Sequence, residues 1–95
     1  MRLRWLQATW VYVARDADGV VLYVGMSSQP RARLKDHQRR SEWAAKCVDF
    51  QCVPYENRFI AAEAERNAIK QHQPPYNRIA NPKYKRDGYA YVEAN

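Results

Sequence analysis

Apolar and polar positions along the chain first fall into two short runs of strand character. Trp10-Val11-Tyr12-Val13-Ala14-Arg15 is rich in β-branched and aromatic residues and predicts a strand. Val20-Val21-Leu22-Tyr23-Val24-Gly25 predicts its return partner, with Asp18-Gly19 as a two-residue hairpin turn. The pattern then changes. Ser27-Ser28-Gln29-Pro30 reads as a helix start with Pro30 at the first helical position, and a basic helix runs to about Arg40. Ser41 caps a short second helix through Trp43, Ala44 and Ala45. Val48-Asp49-Phe50-Gln51-Cys52-Val53 reads as a third strand closed by Pro54. Asn57 caps a longer helix to about His72, stopped by Pro74-Pro75. The stretch from Arg78 to Asn95 reads as an irregular tail, with a turn at Asp87-Gly88. The expected fold is α/β (α+β): a three-stranded, mainly antiparallel sheet flanked by helices.

Side chains alternate across a strand, so a two-residue turn fixes which ones meet. Ala17 then faces Val20, Tyr12 falls opposite Gly25, and Tyr23 falls opposite Ala14. Tyr12 and Tyr23 share one face as diagonal neighbours. Val11, Val13, Leu22 and Val24 take the other, apolar face and form core. A three-residue loop would break this parity. Gly25, without a side chain, is expected to leave room for a ligand beside Tyr12.

On the basic helix, Arg33 and His37 are four apart and share a face. Arg31, Lys35, Arg39 and Arg40 surround them, and mainly Leu34 and Ala32 are available for packing. Phosphates are the natural partner for so polar a helix. On the last helix Glu63 falls on the polar side, beside Asn67 and Lys70. Glu65 falls on the apolar stripe with Ala61, Ala68 and Ile69. An acid on that side needs an arginine, a cap or a metal.

Composition narrows the partner. The 95 residues are room for one domain, and the net charge of +6 favours a polyanion. No apolar run is long enough to span a bilayer, and Met1-Arg2-Leu3-Arg4-Trp5 lacks the apolar stretch of a signal peptide; the expected setting is cytoplasmic, with no membrane partner. Cys47 and Cys52 match no zinc spacing and read as reduced thiols.

Taken together, these residues resemble the GIY-YIG nuclease family. The first motif is matched by Val11-Tyr12-Val13, without its leading glycine, and the second by Tyr23-Val24-Gly25. The helical arginine is matched by Arg33, the histidine or tyrosine one turn on by His37, the metal-binding glutamate by Glu65, and the closing asparagine by Asn77 in Pro75-Tyr76-Asn77. The last stretch is similar to the amino-terminal nuclease domain of a bacterial excision-repair incision protein. Met26 and Ser27 stand where many relatives carry a lysine or other polar residue. The resemblance covers about Val11 to Asn77 within a single GIY-YIG-like domain, with residues 78–95 as tail.

The resemblance implies divalent-metal-dependent hydrolysis of DNA phosphodiester bonds. Glu65 then holds one Mg²⁺ (or Mn²⁺), and Arg33 stabilises charge at phosphorus. Tyr12 positions or deprotonates the attacking water, assisted by Tyr23 and His37, and Asn77 orders the site. Gly25, Arg31, Lys35, Arg39, Arg40, Lys83, Lys85 and Arg86 are the expected nucleic-acid contacts. A separate targeting protein is an expected partner, and repair, recombination, phage and mobile-element settings all fit. Two competing functions share parts of this pattern. A non-cutting nucleic-acid-binding module needs the basic helix but not Glu65. An interaction protein would use Trp5, Trp10 and Trp43 as a docking surface.

Overall fold

The computed structural model describes residues 8–77. Three strands form an antiparallel sheet in the order β2-β1-β3, with β1 Thr9–Arg15, β2 Val21–Ser27 and β3 Asp49–Tyr55. Helix α1 spans Pro30–Arg40 and helix α2 spans Arg58–His72. The predicted second helix is a 3₁₀ helix, Glu42–Lys46. Ser41 does not cap it, because its hydroxyl is turned back onto α1. Pro54 lies inside β3 rather than ending it, which an edge strand tolerates. Lys83, Lys85, Arg86, the Asp87-Gly88 turn and Trp5 lie outside the described residues.

The hairpin reaches the expected register by an unexpected route. Three residues, not two, separate Asp16 from Val20. The Asp16 amide donates to the Val20 carbonyl (3.0 Å), and Asp16 Oδ1 accepts from the amides of Asp18 and Val20. Gly19 supplies the positive φ, +84°, that such a loop requires. Alone, this loop would put Tyr12 and Tyr23 on opposite faces. A bulge at Leu22 adds one residue to β2 between the pairs Arg15–Val21 and Ala14–Tyr23, and Tyr12 is restored opposite Gly25.

The bulge corrects one core assignment. Leu22 does not join Val11, Val13 and Val24. It packs with Ala14 and Trp43, and Val21 takes its place beneath α2 with Val11, Val24, Ala61 and Ile69. The sheet is thus covered by α2 on one face and by α1 with the 3₁₀ helix on the other. Asn57 caps α2 by accepting from the amides of Phe59 and Ile60 (2.9 and 3.0 Å), and Gln73 ends it in a left-handed turn. Ala32 is exposed and does not help α1 to dock; Leu34 is half-buried, and the one buried residue of α1 is His37.

Candidate active site

Strand register and helix phase bring Tyr12, Tyr23, Arg33 and His37 together on the α1 face. Tyr12 projects from the central strand and is 0% exposed. Its oxygen lies 3.1 Å from His37 Nε2, and Arg33 and Tyr23 both hydrogen-bond to it. His37 Nδ1 lies 2.7 Å from Ser41 Oγ. Around these groups the rings close into a cluster: Trp43 stacks on Tyr23 (5.0 Å, 11°) and leans on His37 (4.7 Å), and Phe50 flanks Tyr12 (5.1 Å).

Gly25 has a different use from the one expected. A Cβ built there would stand 2.8 Å from Tyr12 Cε1 and closer still to Cζ and Oη. The space is filled by the Tyr12 phenol, not left for a ligand. Gly25 is therefore needed so that a large ring can lie flat over the neighbouring strand.

The electrostatics follow from this burial. Desolvation raises the Tyr12 pKa above its usual value near 10. The Arg33 charge and hydrogen bond oppose the rise, the Glu65 carboxylate adds to it, and the Tyr23 hydrogen bond opposes it. Burial together with the Arg33 charge holds His37 down to about 4, with Asp36 opposing, so the ring is neutral at pH 7. Arg33 also pairs with Asp36 at 3.7 Å.

Glu65 lies half-buried on α2 and close enough for its charge to act on Tyr12, whereas Glu63 is exposed. Among the described residues no three His, Cys, Asp or Glu side chains cluster into a metal cage. Glu65 offers a single hard carboxylate. That suits magnesium, which keeps several waters and accepts substrate phosphate oxygens as ligands.

Asn77 stands apart from the ring cluster. Its Oδ1 accepts from the Val24 amide and its Nδ2 donates to the Val24 carbonyl, both at 2.8 Å. With the Tyr76 amide donating to the Leu22 carbonyl, it pairs the outer edge of β2 as a further strand would. Both of its side-chain hydrogen bonds thus go to the backbone of β2.

Arg31 and Lys35 line an open groove of about 800 Å³ with Trp10, Gln29, Pro30, Ala32 and Cys52. Burial pushes the Cys52 thiol up, with Arg31 opposing, and both cysteines are free. Arg39 and Arg40 are exposed at the other end of α1. Sequence reasoning missed Ser41 as a partner of His37, Trp43 and Phe50 as walls of the site, and Trp10 as a wall of the groove. The one available signal was the i, i+4 spacing of His37 and Ser41, which the reading of Ser41 as a cap obscured. No described helix is long and apolar enough to cross a membrane.

The sequence profile of the UvrC-like GIY-YIG domain matches residues 8–78. The chain is 36% identical over 73 residues to the UvrABC system protein C of Moorella thermoacetica, covering 70% of this chain and 12% of that protein. It is 35% identical over 75 residues to the protein of the same name from a Synechococcus species, again 70% and 12%. A third, from Methanothermobacter thermautotrophicus, is 36% identical over 76 residues, 74% of this chain and 13% of the relative. The chain thus spans only a small part of the length of these relatives.

Proposed function

Since this chain belongs to the UvrC-like GIY-YIG family, we propose that it is a divalent-metal-dependent endonuclease that hydrolyses DNA phosphodiester bonds. The observation that carries the proposal is the convergence on one buried phenol, Tyr12, of Tyr23, Arg33, His37 and the field of Glu65. Phosphodiester hydrolysis needs charge neutralisation at phosphorus, an oriented water and help for the leaving oxygen. Arg33, with its side chain 31% exposed, meets the phosphate charge. Glu65 is the residue that would hold Mg²⁺, which when bound supplies further neutralisation at the scissile phosphate.

We assign the two tyrosines in the reverse order to the sequence-based expectation. Tyr12 has no surface open to water and its pKa is raised, so it is a poor base. Even an unperturbed tyrosine is only about one part in a thousand ionised at pH 7. Tyr23 is half-buried rather than fully buried, and we assign it the contact with the attacking water. Tyr12 and His37 orient Tyr23 from behind. Asn77 holds β2, and with it Tyr23, in place. The Trp10–Arg31–Lys35 groove fits a nucleic-acid strand, with cations for phosphate and a ring for a base. Targeting to a particular DNA structure comes from a separate protein.

Plasmid incubated with Mg²⁺ or with EDTA tests the proposal. We expect nicking in Mg²⁺ alone, and a loss of at least ~10²-fold in well-folded Glu65→Ala and Arg33→Ala. Salt-sensitive binding without cutting would indicate the non-catalytic module instead.

A further inference from the structure

The groove beside α1 carries chemistry that the ring cluster does not use. Arg31 and Lys35 are four apart and share one side of the helix. Arg33 lies two residues from each, on nearly the opposite side. Across the groove the wall is sheet. Trp10 and Tyr12 project from the same face of β1, and Cys52 stands opposite Tyr12 on β3. The groove is therefore next to the ring cluster, yet separated from Arg33 by the body of α1. A helix is about 10 Å across with its side chains. The groove thus holds a nucleotide beside the cut, and not the one being cut.

Charge and ring exposure say what fits there. Among the described residues the groove lining holds two cations and no acid. The ion pairs go to Arg15 and Arg33, not to Arg31 or Lys35, so both charges are available to phosphate. Trp43 is buried in the core, but Trp10 is only half-buried and joins neither core cluster. It also takes no part in the ring contacts that link Tyr12, Tyr23, His37, Trp43 and Phe50. Its indole lines the groove instead. A duplex offers such a ring only base edges, because stacked neighbours cover the base faces. An unpaired base has a free face, and stacking on an aromatic ring suits every base. We propose that Trp10 is a stacking platform for one unpaired base of a DNA strand, with Arg31 and Lys35 on the adjoining phosphates. The groove then selects DNA with an unpaired stretch next to the cut.

This platform deepens the proposed nuclease function and rests on it for the choice of DNA, but binding needs no cleavage, so the two are tested apart. Fluorescence anisotropy in EDTA, with a labelled oligothymidine and a blunt duplex of equal length, measures binding by the full chain without cutting. We expect the wild type to favour the single strand by about 5-fold or more. Trp10→Ala should lose at least about 5-fold more affinity for the single strand than for the duplex, and Trp10→Phe should keep most of it. Arg31→Ala combined with Lys35→Ala should weaken both and lower the salt slope on the single strand by about 1.4. A single strand carrying 5-bromouracil, irradiated with the wild type, should crosslink at Trp10, and this decides the matter if Trp10→Ala does not fold. Equal losses on both DNAs in a folded Trp10→Ala overturn the proposal. So does a wild type without the single-strand preference, or crosslinks confined to residues outside the groove. Cleavage in Mg²⁺ with no preference that depends on Trp10 upholds the nuclease and refutes the platform. The preference without cleavage upholds the platform and refutes the nuclease.

Discussion

Gly25→Ala should damage the fold, not the grip on a ligand. The Gly25 backbone does not have a positive φ, so an L-residue brings no backbone strain there. The cost lies in the Cβ, 2.8 Å or less from three atoms of the Tyr12 ring. Tyr12 is wholly buried against Phe50, Tyr23 and His37, so it cannot swing away freely. Overpacking of this kind costs about 1–3 kcal/mol. If the ring shifts enough to break the 3.1 Å contact with His37, a buried polar pair is lost at about 1–3 kcal/mol more. Removing glycine's freedom in the unfolded chain returns about 0.4–1 kcal/mol. The net is about 2–4 kcal/mol, which in a domain of this size lowers Tm by roughly 10–25 °C. Thermal unfolding of the variant beside the wild type measures it. In a Tyr12→Leu background the same change should cost much less, because the clashing atoms are gone. If Gly25 instead left room for a ligand, Gly25→Ala would keep its Tm and lose DNA affinity. A Tm within about 3 °C of wild type would refute the packing argument.

Other changes separate the roles of the remaining residues. Glu63→Ala should leave Mg²⁺-dependent cleavage within about twofold of wild type while Glu65→Ala loses at least ~10²-fold; the opposite pattern would put the metal on the wrong face of α2. Asn77→Ala removes both partners of the Val24 backbone and should cost about 2–4 kcal/mol by urea unfolding. The His37 pKa is depressed from 6.5 to about 4, so between those values the unfolded chain binds a proton that the folded chain does not. Stability should therefore rise with pH across that window and fall by up to about 3 kcal/mol on acidification through it. His37→Gln should flatten that part of the stability–pH curve; an unchanged slope would show that another group produces it.

Local patterns alone determined a good deal about this protein. Strand-forming residues, the Asn57 cap and the Pro74-Pro75 stop gave the element order. Alternation placed Val11 and Val24 on the face that packs as core. The helical spacing of Glu65 with Ala61 and Ile69 separated it from Glu63. These are properties of one segment, or of two segments joined by a short turn, and the periods of strand and helix encode them.

The tertiary structure decided what those periods do not carry. A three-residue loop and a bulge each shift the hairpin by one residue in opposite senses, so the expected register is correct while Leu22 changes face. That Tyr12 is fully buried and Tyr23 half-buried is a matter of packing between elements. The partner of Tyr12 is 25 residues away, and that of Val24 is 53 residues away. Such hydrogen bonds are chosen by burial, which leaves a polar group no water to turn to, and burial exists only once the helices are on the sheet.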